Sequence, residues 1–244
     1  MQRLDGFQNR PKISNGMNRG CFCAVPGEGT GIAAQRATRN MLKKLTSRFG
    51  GDRMSLYAEP SGLTTTELRE QAMRTVDFLH FQGEISLNPE DDKPENTTLR
   101  MGEEMTLSAK TIASNLQFQM GCSPLVTCIG EQPDHIDEDA RLTEIPDAIP
   151  PAFLQAGAST VVTTLWPVPS QIADRFTEVF YSNFLKRGRL DGDQVWNIAQ
   201  EVRVAASVVL TRGKNVKTDF ADYQQPDVGF YPPQEYGLGL RVRN

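Results

Sequence analysis

Histidine and cysteine are both scarce in this chain, with 2 and 4 residues respectively out of 244. The thiols fall at Cys21, Cys23, Cys122 and Cys128, mostly in or beside segments that read as strands. So few cysteines, so placed, argue against a disulfide framework and for a reducing, cytoplasmic setting. Cys21 and Cys23 find no matching knuckle in Cys122 and Cys128, so no zinc or other metal site is expected. No apolar run approaches the roughly 20 residues that a membrane span needs. The segment Met1–Arg10 lacks the apolar core of a signal peptide. Positive charge is also short: the formal net charge is −4, so neither nucleic acid nor a membrane surface is an expected partner. Lys43-Lys44 and Lys186-Arg187 read as solvated helix ends. There is no internal repeat and no low-complexity segment.

What is present is an alternation of strands and helices. Residues 1–20 are polar and Gly/Asn-rich, and read as an arm or a truncated upstream element. Strands are expected near 21–25, 54–58, 76–81, 124–129 and 160–165, the last a β-branched run, Thr160-Val-Val-Thr-Thr164. Helices are expected over Ile32–Phe49, from the capping box Thr64–Glu67 to about Arg74, over Ser108–Leu116, Pro151–Gln155, Ser170–Lys186 and Gln194–Leu210. Thr97–Met101 and Glu104–Leu107 suggest a small hairpin. Gly157 is placed to end the short helix in a left-handed turn. Residues 211–244 read as a polar tail, whether packed on the domain or not. This order predicts one α/β domain over 21–210, with a mostly parallel sheet covered on both faces. Chemistry in such sheets sits at the carboxyl ends of the strands.

The run Ile149-Pro-Pro-Ala-Phe-Leu-Gln-Ala-Gly-Ala-Ser-Thr-Val-Val-Thr-Thr-Leu-Trp-Pro-Val-Pro169, followed by a long amphipathic helix, resembles the C-terminal half of the CHAT domain. That family has a caspase-like, separase-related peptidase fold and is often found beside tetratricopeptide repeats. The resemblance implies a three-layer sandwich with a mostly parallel central sheet. It extends over roughly residues 21–210. It also implies a His–Cys dyad, with the base in a phrase like His-Phe-x-x-His-Gly and the nucleophile in one like Leu-Val-x-Leu-Ser-Ala-Cys-Glu. Here the first phrase reads Leu79-His-Phe-Gln-Gly-Glu-Ile85. His80 matches the family's first, structural histidine. The base position falls on Glu84 without a gap, or on Gln82 if Gly83 takes the family's glycine. The second phrase reads Leu125-Val-Thr-Cys-Ile-Gly-Glu-Gln132. Cys128 stands where the family keeps an apolar residue, and Glu131 where it keeps the cysteine.

A thiol peptidase needs a thiolate within reach of a carbonyl and an imidazole to activate it. Glu131 supplies neither, so the chain is expected to be a pseudopeptidase that binds a protein or peptide partner without cutting it. Glu84 and Glu131 are expected as two solvated loop acids, and no cofactor is implied. Two alternatives remain. His80 and Cys128 would form a displaced dyad, unless both are buried strand residues with Cys128 acting as a small hydrophobe. Gly27-Glu-Gly-Thr-Gly31, between a strand and a helix, would cradle a nucleotide, with Glu59 as a ribose-binding acid, unless it is a plain turn. His135, in an acidic segment, reads as solvated. The loops Gly83–Pro94 and Glu131–Asp139 are rich in Asp and Glu, so a partner docking there is expected to bring a basic segment.

Overall fold

The computed structural model describes residues 19–25, 31–49, 54–58, 66–68, 76–86, 93–102, 106–118, 124–131, 148–165, 167–187, 202–206 and 240–243. The main sheet contains β1 (Gly20–Val25), β2 (Met54–Ala58), β3 (Phe78–Gly83), β7 (Leu125–Gly130), β8 (Thr160–Thr164) and β9 (Leu240–Arg243), in the order β2-β1-β3-β7-β8-β9. The first five pair in parallel and β9 runs antiparallel to β8. A smaller antiparallel sheet joins β4 (Ile85–Ser86), β5 (Thr98–Arg100) and β6 (Thr106–Ser108), which includes the expected hairpin.

Among the described residues, four helices cover the main sheet: α1 (Ile32–Phe49), α2 (Ala109–Asn115), α3 (Ile149–Gln155) and α4 (Ser170–Arg187). Further helical residues lie at 66–68 and 202–206. Alternate residues of β1, β3, β7 and β8 face opposite layers, as the two-residue period of a strand requires. Cys21, Cys23, Leu79, Phe81, Val126, Cys128 and Val161 pack with Ile112 of α2 and Phe153 of α3. Phe22, Ala24, Phe78, Leu125, Ile129 and Val162 pack instead with Leu42 and Leu45 of α1 and Phe176, Phe180 and Tyr181 of α4. The result is the expected three-layer α/β sandwich.

Local chemistry sets the boundaries. Ser108 caps α2, its Oγ accepting from the Thr111 N–H at 3.1 Å. α3 ends in a Schellman turn. Gly157 takes φ +103°, its N–H donates to Leu154, and the Ala158 N–H donates to Phe153. Phe153, Val161 and Val162 are fully buried, and Leu154 packs partly buried on the same core. Trp166 and Thr64 lie outside the described residues.

Three expectations need correction. The third strand starts and ends two residues later than expected, at Phe78 and Gly83, which brings Gln82 into the ladder. The fourth runs one residue later, to Gly130, and Glu131 continues it through a parallel bridge to Val168. The segment read as a polar tail contributes a strand, β9, because Leu240-Arg-Val-Arg243 extends along the free backbone edge of β8.

Candidate functional site

The carboxyl ends of β3 and β7 lie side by side, with Gln82 opposite Ile129 and Gly83 opposite Gly130. Backbone geometry holds them together. The Glu131 N–H donates to the Gly83 carbonyl at 2.8 Å, and the Val168 N–H donates to Gly130 at 2.9 Å. The Gly130 N–H donates to Thr164 Oγ1 at 2.9 Å. Gly83 is required here, because a Cβ at that position would collide with the backbone carbonyl of Val25 in β1.

Below this edge runs a buried chain of polar side chains. Gln82 Nε2 donates to Glu131 Oε1 and to Asp174 Oδ1, each at 2.7 Å. Two carboxylates on one nitrogen fix the amide orientation, because carboxylates only accept. Gln82 Oε1 therefore accepts, from Thr177 Oγ1 at 3.0 Å and from His80 Nε2 at 3.3 Å. His80 is then the Nε2–H tautomer. Its Nδ1 must accept, and takes the proton of Thr127 Oγ1 at 2.6 Å. The Thr127 oxygen in turn accepts from the Tyr181 hydroxyl at 2.8 Å. The network thus has one self-consistent direction, from Tyr181 to the two carboxylates.

Burial sets the protonation states. His80 is 1% exposed, and burial pushes its pKa down to about 3, only partly opposed by the bond to Gln82. It is neutral at physiological pH and a weak base. The rings of Phe22 and Tyr181 close on it edge-on. Burial raises the pKa of Asp174, while hydrogen bonds from Thr38 and Gln82 pull it back and Glu178 raises it further. Burial likewise lifts the Tyr181 hydroxyl and the Cys128 thiol well above their ordinary ranges, so Cys128 is a protonated thiol.

The structure sorts the expected site residues clearly. Gln82 and Glu131 meet. Glu84 does not join them: it belongs to the junction with the small sheet, where it pairs with Arg100 at 3.3 Å. The expectation of two solvated loop acids is therefore corrected. Glu131 is 3% exposed and hydrogen-bonded, and Glu84 is half-buried in an ion pair. A carboxylate tolerates such burial only with donors around it, and Gln82 supplies one.

His80 and Cys128 are not brought together. Cys128 lies opposite Phe81 in the β3–β7 register and shares that residue's face, packed among Leu79, Val126 and Phe153. His80 lies opposite Thr127 and bonds to it on the other face. The sheet itself separates imidazole from thiol. They are also mid-strand residues, not the strand-end pair that a dyad requires.

The glycine segment 27–30, Glu59, His135, residues 87–92 and 132–139 lie outside the described residues. Among the described residues no group of three or more His, Cys, Asp or Glu side chains converges as a metal site. No described helix is long and apolar enough to cross a membrane. Sequence reasoning missed Thr38, Thr127, Asp174, Thr177 and Tyr181. The last three offered a signal: they recur at i, i+3 and i+7 along α4, a polar stripe beside the apolar one.

Two comparisons bear on this geometry. No curated protein matches the chain. The CHAT domain profile matches residues 30–214, a span that holds β3, β7, β8 and all four covering helices. Joined to the parallel three-layer sandwich, that match assigns the chain to the CHAT domain family, which is caspase-like and peptidase-related.

Proposed function

We propose that this CHAT domain is a pseudopeptidase, a cytoplasmic protein-interaction module that holds a protein or peptide without cleaving it. One observation carries the reading: the 2.7 Å hydrogen bond between Gln82 and Glu131. The family resemblance expects imidazole and thiolate at these strand ends. An amide is not a general base at neutral pH, and a carboxylate is a poor nucleophile toward a peptide bond. The amide is also fully engaged, with two acceptors on its nitrogen and two donors on its oxygen. The edge is therefore built as a rigid polar scaffold. The acidic sequence that follows β7, with Asp134, Asp137 and Asp139, suits a basic segment of the partner.

The test is incubation with an electrophilic peptide probe, read by intact mass. No adduct is the expected result for the wild-type chain. An adduct lost in both Cys128→Ala and His80→Ala would overturn the reading. An adduct lost only in Cys128→Ala would show a reactive thiol without a dyad, and would contradict the buried thiol described above.

A further inference from the structure

α1 concentrates one sign of charge on one face. Its 18 residues include Arg36, Arg39, Lys43, Lys44 and Arg48 and no Asp or Glu. At 100° per residue these five cations, with Asn40 and Ser47, fall within one half of the helix circumference. The other half holds Thr38, Leu42, Leu45 and Phe49, all buried against the sheet and α4. All seven polar residues of the outer half are exposed. Asn40, Lys43, Lys44, Ser47 and Arg48 line a shallow depression of about 590 Å³. The sequence placed Lys43-Lys44 at a solvated helix end, whereas in the fold they sit in the middle of this basic face.

Such a face works against the helix that carries it. Arg36 and Arg39 stand at i, i+3. Arg39 and Lys43, and Lys44 and Arg48, stand at i, i+4. Like charges at these spacings repel and destabilise a helix. Solvent-exposed helices ordinarily interleave both signs. Among the described residues, the ion pairs Arg100–Glu84 and Arg175–Glu178 involve none of Arg36, Arg39, Lys43 and Lys44. An anionic partner would relieve the repulsion.

We propose that the outer face of α1 is a docking surface for an acidic segment of a protein partner. The inference rests on the reading of the domain as an interaction module, and it names one of the surfaces used. From Arg36 to Arg48 the stripe is about 18 Å long, which an extended acidic segment of about six residues spans. Charge selects this partner over the larger polyanions. The chain as a whole carries −4, so its acidic remainder repels a duplex or bilayer that extends past the stripe.

The experiment is fluorescence anisotropy on the full chain, with a labelled peptide of alternating Glu and Ser. Arms with duplex DNA and with phosphatidylserine vesicles run beside it. Binding of the peptide at low salt is expected, weakening by about tenfold or more toward physiological salt as the charges are screened. Arg39→Glu with Lys43→Glu should cost a comparable factor, and Lys43→Gln with Lys44→Gln a smaller one. These positions are all exposed, so the melting temperature should not fall. The control pair Lys93→Glu with Lys110→Glu, elsewhere on the surface, should change binding less than about twofold. No binding by the full chain, equal loss in the control pair, or tighter binding of DNA or vesicles would each overturn the proposal. The electrophile test is independent of these outcomes, so failure of the docking surface and failure of the pseudopeptidase reading are separable.

Discussion

On one face of the central sheet, Leu79, Phe81, Val126 and Cys128 meet α2 and α3 through apolar contacts. On the other, one residue out of step on the same two strands, His80, Gln82 and Thr127 join polar groups of α4 in a directed hydrogen-bond chain. Adjacency along a strand therefore does not by itself make a pair chemically available. Parity does. Thr127 and Cys128 are neighbours in β7, yet one shares a hydrogen bond with His80 and the other cannot see it. Any catalytic proposal for this sheet has to be confined to one face.

The largest expected effect lies on the apolar face. Phe153 is fully buried and stacks on Phe81 at 5.7 Å. Phe153→Ala should destabilise the chain by about 3–5 kcal/mol in urea unfolding. A loss below about 1 kcal/mol would mean that this face is not a tightly packed core.

On the polar face, Gln82→Leu keeps the bulk but removes the donor shared by Glu131 and Asp174. A loss of about 1–3 kcal/mol at neutral pH is expected, because the buried Glu131 and the part-buried Asp174 each lose a donor. Protonating the carboxylates relieves the defect, so the deficit should shrink as pH falls. A pH-independent loss would point to packing rather than to charge.

Double-mutant cycles sharpen the contrast between the faces. His80→Ala combined with Thr127→Val should show a coupling of about 0.5–3 kcal/mol, as expected for bonded neighbours. His80→Ala combined with Cys128→Ala should be additive to within about 0.5 kcal/mol. A strong His80–Cys128 coupling would break the separation of faces.

The smallest effect concerns Asp174. Its pKa in the folded chain is raised above the ordinary 3.8. The folded state therefore holds this proton more tightly than the unfolded state does. The group's contribution is fully present below the ordinary value and is lost as pH rises through the raised one. Asp174→Asn should flatten that part of the stability–pH curve while changing stability at neutral pH by less than about 1 kcal/mol. An unchanged curve from unfolding across this window would contradict the assignment.

Much of the fold was legible because its signals are local and repeated. The β-branched run of β8, the spacing of Phe176, Phe180 and Phe184 in α4, and the Gly157 turn each state one preference that the packing then satisfies. β9 was not legible. Four alternating residues in a polar segment carry too weak a period, and their strand form depends on β8 offering an edge. The site was half legible. The two phrases located the strand ends, but the β3 boundary was drawn two residues early, leaving Glu84 and Gln82 as rival positions. Only the third dimension separates them, since Arg100 draws Glu84 to the small sheet while Asp174 and Thr177 hold Gln82. Glu131 read as solvated because a donor that buries it, Gln82, lies on another strand. Its partner comes from 49 residues away.

We propose that Gln82 and Glu131 occupy the place where this family's architecture brings base and nucleophile together. Rebuilding the pair tests it most directly. Gln82→His with Glu131→Cys, and separately Glu84→His with Glu131→Cys, would be made in the Cys128→Ala background. Each variant would be checked for a cooperative melting transition and its rate of labelling by the electrophilic peptide probe measured. The Gln82→His pair should be labelled at position 131 faster by about tenfold or more, because an imidazole there comes within hydrogen-bond reach of the introduced thiol. Equal rates, or faster labelling of the Glu84→His pair, would contradict it.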